Sequence, residues 1–292
     1  MRTAAPIAKS GLFLLWGSMA EITVITVAYS SARVLPGMIE SLPAGAPLVI
    51  VNNGPEDGLT LLAQSTGAKL IEPGQNLGFG TACNLGAKGA TTEFLVFLNP
   101  DARLAPDAME HLLRAARAHP LASAFAPVLR GDDGQLGFKR RSFLNRADTA
   151  PRDPGPDPVA VPTLSGAAIL VRTTAFHAVG GFDPAIFLYY EDDDLAFRLR
   201  RDQGPLMLVP AAIAHHASGQ STAPSAALSR FKGYHWARSR VYIARKHGLP
   251  WPWANAVKNA LWHLIRPKSW TAPDRRSEAV GRIAGAWSMR SP

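Results

Sequence analysis

The chain has 292 residues, 47% of them hydrophobic, with 25 glycines, 24 prolines and one cysteine. That is enough chain to bury a substantial core in one large domain or two, and the lone Cys83 excludes an internal disulfide framework and fits a reducing compartment. The net charge of +9 is unevenly spread: residues 230–292 carry 13 Lys/Arg against 2 Asp/Glu, the remainder 18 against 20, so a near-neutral body precedes a basic tail suited to a polyanionic neighbour such as an anionic membrane surface or nucleic acid.

In chain order, "GLFLLWG" near the N-terminus imitates a weak signal peptide but is short for an h-region and lacks a small-residue cleavage site. Residues 1–21 are read as an extension, with Met19 an alternative start to Met1. "ITVITVA" (22–28) is the β-branched run of a strand buried on both faces. A helix follows in "ARVLPGMIESL", despite its proline, then a strand in "PLVIVNN" and a helix in "EDGLTLLAQST". "AKLIEP" reads as a short strand and "GTACNLGAKGA" as a helix behind a Gly-rich turn, with Cys83 as a small packing residue. "EFLVFLNPDA" is a fourth strand, and "APDAMEHLLRAARAHP" an amphipathic helix with Pro106 at its start and Pro120 beyond its end.

From about Asp132 to Pro162 the pattern dissolves into Gly, Pro and charge, read as a mobile loop. A strand and short helix return in "TLSGAAILVRTTAFHAVGGF". The acidic "YYEDDDLAFRLR" begins another helix, and "PLMLVPAAIAHHASGQS" supplies a last strand and loop before the basic helical tail. No run reaches the roughly 18 apolar residues that span a bilayer.

Strands alternating with helices predict a doubly wound, mainly parallel α/β sheet whose ligands lie beyond the carboxyl ends of its strands. The polar clusters "YSS", "NNGPED" and "NPD" all fall there. Asp101 ends an apolar strand, as a ligand for Mg²⁺ or Mn²⁺ would, though a turn or cap aspartate looks the same. Four consecutive acids, Glu191 to Asp194, exceed what a helix N-terminus needs. One of Asp193 and Asp194 is expected to cap, and a carboxylate in partly apolar surroundings suits a general base. Spacing alone leaves His215 and His216 open as metal ligands or ordinary loop histidines.

The ordered set "VAYSS", "VNNGPEDG", "NLGFGTACNLG", "FLNPDA", "SGAAILVR", "VGGFDPAIFLYYEDDDLAFRLR" and "HHASGQS" resembles the inverting glycosyltransferases of family 2, nearest their bacterial rhamnosyltransferase-like branch, over residues 22–247. The resemblance implies a GT-A fold: a nucleotide-binding half (22–130) and an acceptor half (160–229) within a 22–229 domain, then the 230–292 tail. It implies that Asp101 holds a divalent metal (Mg²⁺ or Mn²⁺) with His216 nearby, followed by Gly219 and Ser221, with His215 as the alternative. Tyr29, Asn53 and Asp57 would line the nucleotide pocket. Asn76, Gly78, Asn84 and Asn99 would line the donor side, and Ser165 and Gly166 the sugar-facing strand. Asp192 would be the base, facing the acceptor with Glu191, while Asp193 and Asp194 cap or pair with Arg198.

Two departures stand out: Asn52-Asn53 where Asp-Asn is frequent, and "AYSS" where Asn often follows Tyr. The implied substrates are a nucleotide-diphosphate sugar, by branch a deoxysugar such as dTDP-rhamnose, and a saccharide or polyprenyl-linked acceptor in surface-polysaccharide synthesis. The implied location is the inner face of the cytoplasmic membrane, with no nucleic-acid partner. The alternatives are a nucleotidyltransferase, whose opening Gly-rich turn with Arg and Lys is missing from "VAYSSAR", and an inactive carbohydrate-binding scaffold.

Overall fold

The computed structural model describes residues 21–55, 58–216, 225–266 and 272–291. Strands β1 (Ile22–Ala28), β2 (Leu48–Asn52), β3 (Lys69–Ile71) and β4 (Phe94–Leu98) pair in parallel in the order β3-β2-β1-β4. Helices α1 (Leu35–Glu40), α2 (Leu59–Thr66) and α3 (Phe79–Ala87) connect them. Pro36 falls in the first turn of α1, where its missing N–H costs nothing.

Beyond β4 come β5 (Ala102–Leu104), α4 (Ala108–Ala118), β6 (Ala124–Arg130) and the short β7 (Leu136–Gly137) and β8 (Val159–Val161). Strand β9 (Ala168–Arg172), α5 (Thr173–Ala178), α6 (Glu191–Asp202) and β10 (Leu206–His216) complete the domain. The sheet continues β4-β9-β6-β10-β5 and is mixed in this half: β9 runs antiparallel to both β4 and β6, while β10 is parallel to β6. Strand β6, in "ASAFAPVLR", and β5 carry no independent signal in the sequence.

Each face of the sheet holds one core, which is why β1 is buried along its whole length. Ile22, Val24 and Ala28 pack with Leu35, Met38, Met109 and Leu112 on one side. Ile25 and Val27 pack with Ala82, Cys83, Phe176, Leu195 and Leu199 on the other. Each such aliphatic side chain contributes about 1.5–3 kcal/mol on burial. Cys83 is the packing residue expected, its thiol pushed well up by burial.

Residues 132–162 are not the mobile loop predicted from composition. Strand β7 pairs with β6 and β8 with β10, Arg141 bridges to Thr149, and Leu144 and Ala150 are buried. The segment is a strap drawn across the start of α6, held by apolar residues scattered among the prolines.

Helices α7 (Ala226–Lys246), α8 (Pro252–Ile265) and α9 (Pro273–Ser288) form the basic C-terminal part. They pack closely: a Cβ on Gly281 or Gly285 of α9 would collide with the Arg230 or Tyr234 carbonyl of α7. Helix α7 also lies against the segment before α6, where Ser239 donates to the Leu188 carbonyl (2.8 Å) and Tyr242 to Asp183 (3.0 Å). Among the described residues, no helix is long and apolar enough to cross a membrane.

Candidate active site

Strand direction gathers the polar residues. Because β9 opposes β4, its N-terminal end, Ser165 to Ala167, meets the carboxyl end of β4, and the Asn99 N–H donates to the Ala167 carbonyl (2.9 Å). Strand β10 shares the direction of β6, hence of β4, so its final residue, His216, arrives at the same edge. His216 Nε2 lies 3.3 Å from Asp101 Oδ1 and 3.5 Å from Asn99 Nδ2. Side chains alternate along a strand, so His215 faces a second hollow, lined by Arg103, Arg130 and the other side of Asp101. Of the two histidines, His216 is the one whose ring nitrogen approaches the Asp101 carboxylate.

Asp101, Asn99 and His216 form one end of a cavity of about 340 Å³. Its other walls include Tyr29, Asn53, Asn76 and Gly78, so seven of the predicted residues converge. Asn53 is a scaffold for the adjoining loop. It donates to Asn76 Oδ1 (2.9 Å) and accepts the Leu77 N–H (2.8 Å), while the Gly78 N–H donates to Asn76 Oδ1 (2.9 Å). Gly78 has φ of 78°, and a Cβ there would strike the Phe187 carbonyl. Only glycine fits.

The cavity has walls the sequence did not announce. Phe187, Leu188 and Tyr189 come from the segment before α6, and Leu228, Phe231 and Lys232 from the first turns of α7. The paired aromatics of "IFLYY" and a lysine one turn after Leu228 were the available signals. Tyr189 and Tyr190 both adopt left-handed backbone, with φ of 67° and 68°. Such strain in bulky residues persists only when the surroundings fix it. Here the Tyr190 hydroxyl accepts from Arg240 (3.0 Å) and its ring packs on Phe143 and Trp236.

The four acids of α6 divide into different environments. Asp192 Oδ2 accepts from Lys139 Nζ (3.0 Å) and from the Gly166 N–H (3.2 Å). Asp193, 3% exposed, accepts from Thr163 (3.1 Å) and pairs with the same Lys139 (3.0 Å). Asp194 is fully buried among Arg198 (2.7 Å), Lys246 (2.7 Å) and His247 (2.8 Å). Neither Asp193 nor Asp194 caps the helix: the N-cap is Tyr190, with no side-chain cap bond.

Burial pushes the Glu191 carboxyl up to about 8, with the Asp192 charge adding to the effect, so it is a neutral acid at neutral pH. Asp193 is likewise raised, by burial first, against the pull of Lys139. Burial alone would depress the Lys139 ammonium, but the Asp192 and Asp193 charges outweigh it and hold Lys139 above its ordinary range.

Other expected positions sit apart from the cavity walls. Asn84 spends its amide on Phe182, donating to its carbonyl (2.8 Å) and accepting its N–H (2.9 Å), and so ties α3 to the turn before α6. Ser165 Oγ accepts the Ala167 N–H (3.4 Å), and Gly166 meets Asp192. Asp57, Gly219, Ser221 and residues 1–20 lie outside the described residues.

Asp101 and His216 are the pair that could hold a metal. Cis ligands on an octahedral ion with bonds of ~2.1 Å lie about 3.0 Å apart, close to their 3.3 Å separation. Among the described residues no group of three or more His, Cys, Asp or Glu gathers.

Comparison with known proteins agrees with this geometry. A "N-acetylglucosaminyl-diphospho-decaprenol L-rhamnosyltransferase" of Mycobacterium tuberculosis is 29% identical over 266 residues, covering 79% of this chain and 86% of the relative. A low-salt glycan biosynthesis hexosyltransferase of Haloferax volcanii is 20% identical over 62% of each chain. A Pyrobaculum calidifontis mannosyltransferase, solved with GDP-Man and Mn²⁺, superimposes with a TM-score of 0.59 at 16% identity, covering 95% of this chain and 94% of that one. The S. aureus TarS fragment 1–349 with UDP-GlcNAc gives 0.55 at 16% identity over 92% and 91%. These neighbours share the GT-A fold. The model for "Glycosyl transferase family 2" matches residues 23–180, more than half of the chain, and the chain belongs to glycosyl transferase family 2.

Proposed function

We propose that this glycosyltransferase inverts the anomeric centre of a nucleotide-diphosphate sugar, with Asp192 as base. The acceptor is a saccharide carried on a polyprenyl diphosphate, in bacterial surface-polysaccharide synthesis. The observation that carries the reading is the short link between the two charged centres. Asp192 is bonded to Gly166, whose neighbour Ala167 holds Asn99, two residues from Asp101.

Donor and acceptor then meet along one strand end, with the base on the side away from the leaving group. Tyr29, Asn53 and Asn76 line the nucleotide part of the cavity, and Lys232 offers a cation to the diphosphate. Asp101 and His216 would hold Mg²⁺ or Mn²⁺, which offsets charge on the leaving diphosphate. Asp192 takes the acceptor hydroxyl proton as oxygen attacks the anomeric carbon, a single displacement that inverts configuration. The mycobacterial relative supports a rhamnosyl donor and an N-acetylglucosaminyl-diphospho-polyprenol acceptor.

Residues 230–292 are proposed to hold the enzyme on the anionic inner face of the cytoplasmic membrane. Trp251 (77% exposed), Trp262, Ile265 and Trp287 are exposed, and Arg266 and Arg290 lie over the Trp262 and Trp287 rings. The apolar residues of and just before α8 are divided: Trp253 and Val257 turn inward, Trp253 donating to the Ala286 carbonyl (3.0 Å), whereas Trp251 and Leu261 face out.

The deciding experiment is nucleoside diphosphate release from dTDP-rhamnose, GDP-mannose and UDP-GlcNAc with Mn²⁺, with and without an N-acetylglucosaminyl-diphospho-polyprenol. Acceptor-stimulated release from one donor, lost in Asp192→Asn with donor affinity retained, is expected. No release from any donor would favour an inactive scaffold. More than a few per cent of wild-type turnover in Asp192→Asn would remove Asp192 as base.

A further inference from the structure

We propose that Lys139, on the strap between β7 and β8, positions the base: it fixes the Asp192 carboxylate and leaves Oδ1 as the oxygen that receives the acceptor proton. The inference rests on Asp192 being that base.

Two donors, Lys139 Nζ and the Gly166 N–H, occupy Asp192 Oδ2. A carboxylate oxygen has two lone-pair sites, so Oδ2 is filled. Oδ1 accepts the Asp193 N–H (2.8 Å) and has one site left. The Asp192 side chain is 20% exposed, so a substrate hydroxyl can approach the carboxylate. The two donors on Oδ2 orient it.

Lys139 is set in place by the strap rather than by its own flexible stem. Arg140 donates to the Ala150 and Pro151 carbonyls, and Leu144 is buried against Ile186 and Ile243. Phe143 stacks between Tyr190 and the Arg240 guanidinium, 4.2 Å from the ring centre, and Asp148 pairs with Arg200 of α6 at 2.6 Å. These contacts fix the strap over the first turn of α6, so the backbone that carries Lys139 is already ordered.

Charge around the base explains why the lysine bridges two acids. Glu191 and Asp193 flank Asp192 on its own helix, and Lys139 faces it from the strap. Behind Glu191 lies the Cys83 thiol of α3, and Arg240 of α7 reaches the Tyr190 hydroxyl. Asp194 is matched by Arg198, Lys246 and His247. Lys139 is therefore the cation that answers Asp192 and Asp193 together.

During transfer the acceptor O–H proton moves to Asp192 Oδ1. The acceptor oxygen bonds to the anomeric carbon as the bond from that carbon to the diphosphate breaks, and the electron pair leaves with the nucleoside diphosphate. Asp192 becomes neutral at that moment. Lys139 keeps Asp193 as its counter-ion, so its ammonium is never left unpaired in a largely buried place.

The test is the pH profile of kcat/KM for nucleoside diphosphate release, using whichever panel donor turns over and an N-acetylglucosaminyl-diphospho-polyprenol. Wild type is compared with Lys139→Met, Lys139→Gln and Lys139→Arg. An adjacent cation favours the ionised carboxylate, so removing it raises the proton affinity of Asp192. The acid limb should move to higher pH by about 1–3 pH units in the Met and Gln variants. Arg should keep the wild-type limb, and calorimetric donor affinity should be unchanged in all three.

A limb that stays in place in the Gln variant overturns the proposal, as does a loss at every pH that tracks lost donor affinity. Should the Met variant fail to fold, the Gln–Arg comparison decides. An inactive Asp192→Asn beside an unmoved limb in Lys139→Gln removes Lys139 alone; an active Asp192→Asn removes the base assignment itself.

Discussion

Asp194 is the acid of the run with the least access to substrate and the largest structural task, so Asp194→Asn gives a sharp prediction. Its Oδ2 accepts from Arg198 Nε (2.8 Å) and forms an ion pair with Nη2 (2.7 Å), and its Oδ1 faces Lys246 (2.7 Å) and His247 (2.8 Å) of and just after α7. The amide keeps the volume but removes the charge. Lys246 retains Asp183 at 2.6 Å, and Arg198 retains one bond to the Val179 carbonyl (2.6 Å) but loses its only ionic partner in the described structure. Breaking a buried pair by removing one member costs about 3–5 kcal/mol, and the surviving contacts favour the lower end, about 3. For a chain of this size, that corresponds to a fall in melting temperature of about 6–12 °C. Thermal unfolding followed by far-UV circular dichroism at neutral pH reads it. The reasoning fails if the loss is under about 1 kcal/mol, the level of an exposed pair.

Asp101→Ala should weaken donor binding in Mn²⁺ about tenfold or more, or about 1.4 kcal/mol, and abolish its metal dependence; calorimetry with and without Mn²⁺ measures both. Glu191→Gln should stabilise the protein in a pH-dependent way. The native carboxyl holds its proton to about 8 whereas the unfolded one releases it near 4.5, so wild-type stability falls as pH rises between those values. The gain in melting temperature should therefore be largest at pH 8 and vanish by pH 4, and a pH-independent gain would contradict the assignment. Trp251→Ser, Trp262→Ser and Trp287→Ser together should reduce co-sedimentation with anionic liposomes at low salt without reducing turnover of soluble donor. Substitution is a cleaner probe than deleting residues 250–292, because α9 covers α7 through Gly281 and Gly285.

Local pattern was enough to read the parallel half of the sheet. The β-branched run of β1, the amphipathic α4 and the polar turns after β1, β2 and β4 are short-range features, and their order carries the family resemblance to Asp101 and Asp192. What the sequence left open depends on which strand lies beside which. His216 rather than His215 joins Asp101 because the direction and register of β10 set the side-chain alternation at the sheet edge. Asn84, adjacent to the donor motif in sequence, is claimed by Phe182 from 98 residues away. The Gly- and Pro-rich stretch after Asp132 looked unstructured because β7, which folds back on the neighbouring β6, is very short, and the partner of β8 is the distant β10. For the same reason no local pattern could show that Lys139, 53 residues upstream, meets Asp192. Sequence determined that four acids stand in a row; only tertiary packing decided that Glu191 is buried, that Asp192 and Asp193 share Lys139 and that Asp194 meets Lys246 and His247, because that burial and those counter-charges come from distant segments.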